Sequence, residues 1–221
     1  MKLYSLRYSP YARKVEMLLG LLGQPYERVE MPYSDRTELA TLTGGYIHVP
    51  VLVDDDGQVT VESRDICEKL LTRAGADGAR LVPRPLQGPI WAYADFVDGP
   101  LEDVLFRISC PTVRDLWKSP SDRALFVLIK ERKFGAGCLD AWLADRENLI
   151  RRGQRLLAPS LATLAEVGFL FGKQATLADA ALYGCCAMLK VADPELLTRV
   201  SSQLPAYMER VEAEATLRGR A

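Results

Sequence analysis

The chain changes its rhythm once, and that break restricts its fold severely. Up to about residue 72, strand-like runs alternate with helical ones every dozen residues. Lys2–Leu6 reads as a short strand and Tyr11–Leu22 as a helix whose apolar face is Ala12, Val15, Leu18, Leu19 and Leu22. Gly23 and Pro25 stop that helix. Tyr26–Met31 is a second strand, Asp35–Leu42 a short helix, and Val49–Val53 a continuous apolar run suited to a buried strand. Asp54–Gly57 offers an Asp-Gly hairpin turn leading to a partner strand at Gln58–Val61, and Ser63–Thr72 is helical. A stretch dense in breakers follows, with Gly75, Gly78, Pro83, Pro85, Gly88 and Pro89. Past it no strand pattern recurs. Helical spacing runs through Ile90–Ile108, Ser121–Phe134, Leu139–Ala165, Thr176–Val191 and Leu204–Ala215. The expectation is an α+β domain of order β-α-β-α-β-β-α over residues 1–75, a linker at 76–85, and an all-helical bundle of five or six helices over 86–221.

Charge and cysteine usage narrow the function. The 28 basic and 29 acidic residues leave a net charge of −1. No basic face announces nucleic acid, and no polybasic tail or apolar run of membrane-spanning length points to a bilayer. Lys2, Arg7, Arg13 and Lys14 interrupt any signal-peptide core, so a cytoplasmic protein is expected. The five cysteines are scattered without a CxxC pair, which reads as free, buried thiols rather than disulfides or a zinc site. His48 is the single histidine, so His-rich metal sites are excluded and any Ser-His-Asp triad would hang on that residue. No resident cofactor or metal is implied.

Three short stretches can carry chemistry. In Tyr8-Ser9-Pro10-Tyr11, Pro10 suits the first position of a helix and holds Ser9 extended as its N-cap. A serine there is a cap in its own right. The same hydroxyl, among unpaired N–H groups at the positive end of the helix dipole, also suits an anion such as a thiolate. In His48-Val49-Pro50-Val51-Leu52 a proline opens a buried strand, where it costs a ladder donor. In Glu62-Ser63-Arg64-Asp65, Ser63 reads as the cap of the next helix. With Glu62 beside it, the pair is also suited to an amino acid, the helix N–H groups and hydroxyl taking its carboxylate and Glu62 its ammonium.

In this order, and with an α/β half followed by a helical half, these stretches resemble the glutathione transferase family along essentially the whole chain, in a serine-type, bacterial-like form. Ser9–Val15 (SPYARKV), Val49–Leu52 (VPVL) and Glu62-Ser63 match its thioredoxin-like domain. The resemblance implies that Ser9 is catalytic and hydrogen-bonds the glutathione sulfur, stabilising its thiolate, with Tyr11 beside it. It implies a cis bond before Pro50, pairing of the Val49 backbone with the cysteinyl unit, and a γ-glutamyl group held by Glu62 and Ser63. His48 stands where many members have lysine, near the glycyl carboxylate. It further implies an electrophile pocket between the domains, walled by Tyr8, Tyr11, Tyr93, Phe96, Phe106 and Trp117, and a homodimer. For each of those aromatics, core packing is the competing reading. The activity implied is detoxification-type conjugation of glutathione to a small, largely apolar electrophile; the alternative is a non-catalytic glutathione-binding module on the same fold. Redox members of the fold carry Cys at the place of Ser9, so mixed-disulfide chemistry is not expected.

Thr176-Leu177-Ala178-Asp179 fits a helix capping box with Asp in the fourth place. Asp54–Asp56 lacks the spacing of a calcium loop, and the arginines at 146–155 are offset by nearby acids.

Overall fold

The computed structural model describes residues 1–218, so the last three residues of the expected second domain lie outside it. Its first half is a four-stranded sheet flanked by helices. The elements are β1 (Lys2–Ser5), α1 (Pro10–Leu21), β2 (Glu27–Glu30), α2 (Thr37–Thr43), β3 (Val51–Val53), β4 (Val59–Val61) and α3 (Ser63–Arg73). Sheet order is β2-β1-β3-β4, with β1 parallel to β2 and antiparallel to β3, and β3 antiparallel to β4. Leu3 on β1 faces Leu52 on β3, and both are fully buried. Helix α1 begins as its sequence dictates: Ser9 is the N-cap, its Oγ accepts from Ala12 N at 3.3 Å, and Pro10 is the first helical residue. Its buried face, Ala12, Val15, Leu18 and Leu19, packs into the core.

The second half is helical: α4 (Ala76–Leu81), a short 3₁₀ turn at Arg84–Leu86, α5 (Gln87–Phe96), α6 (Glu102–Leu116), α7 (Pro120–Phe134), α8 (Cys138–Ala144), α9 (Arg146–Val167), α10 (Leu177–Ala192), α11 (Pro194–Val200) and α12 (Leu204–Arg218). No described helix is long and apolar enough to cross a membrane. The stretch expected to be a linker, 76–85, is itself mostly helical. Gly78 lets α4 lie against α3, since a Cβ there would meet the Leu71 carbonyl oxygen at 1.9 Å. The run expected to end at Ile108 continues to Leu116 through Pro111, after a π-helical turn at Val97–Leu101 that absorbs Pro100. A proline inside a helix forfeits one backbone bond without ending the helix where packing holds it. The expected Leu139–Ala165 helix breaks at Asp145 into α8 and α9, and α11 was not anticipated at all. At seven residues, α11 is too short to show a period, although Asp193-Pro194 is a good start signal.

The two halves meet along α1 and α10. Gly184 of α10 sits so close to the start of α1 that a Cβ would fall 2.3 Å from the Pro10 carbonyl oxygen. The π turn completes the junction. Lys14 Nζ, on a side chain only 3% exposed, pairs with the Asp98 carboxylate, and Tyr11 Oη donates to the Asp98 carbonyl at 3.1 Å. The α1 N-terminus is thereby fixed against the helical half.

Candidate active site

A cleft of about 370 Å³ opens beside the α1 N-terminus. It is lined by Tyr11, Tyr46, His48, Val49, Pro50, Glu62 and Ser63. Three separate stretches of sequence thus converge on one cavity. The Val49–Pro50 bond is cis, Pro50 is buried, and His48 is exposed at the rim with its ring 5.4 Å from that of Tyr46. Ser63 is the first residue of α3 rather than its cap. Glu62 takes the flanking position, and its carboxylate makes no capping bond to the helix. Glu62 has φ +63°, ψ 123°, the one described non-glycine residue at positive φ. Such a conformation costs about 1–3 kcal/mol and recurs at ligand clamps. Burial and the nearby Glu62 carboxylate push the Tyr46 phenol up to about 12.

Three hydroxyl-bearing residues, Tyr8, Ser9 and Tyr11, sit at the start of α1 in the chain, and their partners differ. Tyr11 Oη is committed to the Asp98 carbonyl, and burial with the Glu102 and Asp98 carboxylates raises its pKa strongly. The Tyr8 phenol is buried beside that of Tyr33 and lies well above its ordinary value for the same first reason. Ser9 Oγ accepts from Ala12 N and, among the described residues, donates to nothing. Backbone donors follow the same logic. Pro10 has no N–H, Ala12 N–H goes to Ser9 Oγ and Arg13 N–H to the Ser9 carbonyl at 3.0 Å. The Tyr11 N–H has no protein acceptor among the described residues. One hydroxyl proton and one amide proton are therefore available to an anion at a helix N-terminus.

The six aromatic residues expected around one pocket divide among separate clusters. Tyr8 and Trp117 pack edge-on at 5.8 Å in a group with Tyr33 and Phe126. Tyr93 and Phe96 are 5.7 Å apart, and Tyr93 Oη shares a 2.8 Å hydrogen bond with Ser160 Oγ. Phe106 packs with Phe134 and Trp142. Tyr11 alone among the six lines the cleft.

Residues 3–78 match the family model described as glutathione S-transferase, N-terminal domain. The match takes in the sheet domain and covers about a third of the chain. No curated protein is similar to the chain in sequence. Among solved structures, the glutathione transferase GSTFuA3 of Phanerochaete chrysosporium superposes with a TM-score of 0.80 at 18% identity, over 96% of each chain. CsGST83044 of Ceriporiopsis subvermispora, solved with glutathione, gives 0.77 at 19% identity over 97% of each. Glutaredoxin 2 of Salmonella typhimurium, also solved with glutathione, gives 0.73 at 20% identity over 98% of this chain and 94% of its own. The glutathione S-transferase fold thus extends through both halves.

Within that fold, four residues of the site region escaped the sequence reading. Tyr46 lines the cleft, and nothing in its local pattern separates it from a loop tyrosine. Arg36, beside Tyr33, has a buried Nη1 without a hydrogen-bond partner. Glu102 on α6 lies near enough to Tyr11 to raise its pKa, and Glu102 and Lys130 on α7 act on one another. Glu102 is held up at about 7, first by burial and then by Asp103. Charged residues on amphipathic helices ordinarily face water, so their inward placement is a tertiary fact.

Proposed function

We propose that the protein is a glutathione transferase in which Ser9 holds the glutathione sulfur as a thiolate. The observation that carries this reading is the uncommitted Ser9 hydroxyl and free Tyr11 N–H at the start of the helix whose Tyr11 lines the cleft. A hydroxyl donor and a helix N-terminus both favour the ionised thiol, drawing its pKa from about 8.5 toward neutrality. The cleft suits the rest of the tripeptide. In this reading the Val49 backbone pairs with the cysteinyl unit, Glu62 and Ser63 hold the γ-glutamyl group and His48 approaches the glycyl end. Their shared lining of the cleft supports it. The chain supplies thiolate population and orientation while glutathione brings the nucleophile, so no histidine base is needed. Thiol–disulfide exchange by the protein itself is a poor fit. All five cysteines are buried, and burial holds the Cys67 and Cys186 thiols at about 12. Free buried thiols also suit a reducing cytoplasm. A two-fold dimer belongs to the same reading, with the open groove between α3, α4 and α5 as its contact face.

The test is turnover of chlorodinitrobenzene with glutathione. Ser9→Ala is expected to lower turnover about tenfold or more, as loss of one donor to a reacting anion does, while glutathione affinity stays within a few-fold. Unchanged turnover in Ser9→Ala would remove the hydroxyl from the mechanism. Glutathione binding by the wild type without turnover of any electrophile would leave a binding module.

A further inference from the structure

Tyr46 lines the cleft between two residues that the glutathione reading assigns to opposite ends of the tripeptide. Its ring meets that of His48 edge-on at 5.4 Å, and its phenol lies beside the Glu62 carboxylate. Local structure delivers it there. Helix α2 ends at Gly44 and Gly45, with φ +72° and +119°, values that glycine adopts without steric cost. The Thr43 hydroxyl lies 2.7 Å from both the Leu39 and the Tyr46 carbonyl oxygens, which ties the Tyr46 backbone to the helix it follows. Tyr46 is thus half-buried on a fixed loop, with one side open to the cleft.

Glu62 is the group that Tyr46 can govern. Its backbone is held at φ +63°, yet its side chain is exposed and makes no capping bond. Among the described residues it has no ion pair, and the adjacent Arg64 is committed to Glu68 and Asp95. A carboxylate free to rotate loses side-chain entropy when it pairs with a ligand, and a neighbour that already restricts it spares the ligand that cost. The other phenol lining the cleft, that of Tyr11, donates to the Asp98 carbonyl. Burial, and then the Glu62 carboxylate, raise the Tyr46 phenol to about 12, so its hydroxyl keeps its proton and is a donor at neutral pH.

We propose that Tyr46 is a positioning residue for ligand recognition: its hydroxyl donates to the Glu62 carboxylate and holds it toward the α-ammonium of a γ-glutamyl peptide. The proposal rests on the glutathione-binding reading of the cleft and names what selects the ligand there, a free α-ammonium on a γ-linked glutamyl group. A ligand without that ammonium leaves the ordered carboxylate with no cation to meet.

The matched probes are glutathione and its deaminated analogue, glutaryl-cysteinylglycine, which lacks only the α-ammonium. Neither reacts without an electrophile, so calorimetric titration of the full-length protein measures binding alone. The wild type is expected to bind glutathione about tenfold more tightly than the analogue, the scale of a hydrogen bond between charged groups. Tyr46→Phe, which keeps the ring against His48, is expected to cut that preference about threefold, the scale of one hydrogen bond. In Glu62→Gln the preference is expected to be small, and adding Tyr46→Phe is expected to change it no further. Equal affinity of the wild type for the two ligands overturns the proposal. A preference unchanged in Tyr46→Phe also overturns it, since a mere wall residue or a fold defect weakens both ligands alike. So does a preference that Tyr46→Phe still lowers in the Glu62→Gln protein. The expected preferences without turnover of any electrophile contradict the transferase reading and leave the Tyr46–Glu62 clamp standing; no binding of glutathione overturns both.

Discussion

Ser9 and Asp179 illustrate two ways in which one polar side chain governs its surroundings. Ser9 caps α1 with one lone pair and keeps its proton, so a structural role and a chemical one coexist on a single hydroxyl. Asp179, fully buried at the start of α10, has no such spare capacity. Its carboxylate accepts from Thr176 N and Thr176 Oγ1, each at 2.9 Å, from Leu170 N at 3.0 Å and from Tyr207 Oη at 3.1 Å. Asp179→Ala would leave those donors buried without an acceptor. A loss of about 3 kcal/mol is expected, which thermal denaturation would register as a Tm lowered by roughly 6–12 °C. An unchanged Tm would contradict the bond pattern. At this scale the Thr176–Asp179 capping box and the Ser9 helix cap were legible, because each depends on neighbours within a few positions. Tyr46, Glu102 and Lys130 were not, since what makes them special is who faces them across the fold.

Among the elements, the first half follows its sequence closely: every expected strand and helix through α3 is present within a residue or two. Strand alternation, an Asp-Gly turn and a Ser-Pro helix start are short-range signals with few competing solutions. In the helical half the pattern announces helices and misplaces their joints. The π turn at Val97–Leu101 and the break at Asp145 answer to packing rather than to local preference. Helix α6 also carries a pH signature. Glu102 faces Asp98 and Asp103 on its own stretch and Lys130 and Lys133 on α7, and burial outweighs the lysines in raising its carboxyl to about 7. The folded protein therefore keeps a proton that the unfolded chain releases near pH 4.5, and stability falls as pH rises between about 4.5 and 7. Glu102→Gln should remove that slope. Its urea midpoint, compared with that of the wild type, is expected to gain more at pH 8 than at pH 5. An equal difference at both pH values would mean the carboxyl titrates normally.

At the level of the whole molecule, the two halves are joined so that they stand or fall together. The Lys14–Asp98 pair, the Tyr11–Asp98 bond and the close crossing of α1 over Gly184 all link the sheet domain to the bundle. Calorimetry is expected to give one cooperative transition, with the calorimetric enthalpy matching the van't Hoff value; two separable transitions would show that the junction is weak. The same junction sets the α1 N-terminus, and with it the proposed thiolate site, in place. The break in sequence rhythm foretold two halves, while the contacts that bind them lie far apart in the chain and leave no local trace. The most direct test is a pH titration of thiolate absorbance in the ultraviolet for glutathione bound to the protein. The buried Cys67 and Cys186 thiols, held at about 12, do not ionise near neutrality, and burial raises those of Cys110, Cys138 and Cys185 as well. The signal therefore belongs to the ligand. The account predicts a bound thiol pKa at least about one unit below the free value of roughly 8.5, returning toward that value in Ser9→Ala. A bound thiol that titrates like free glutathione, or a depression that survives the loss of the Ser9 hydroxyl, would contradict it.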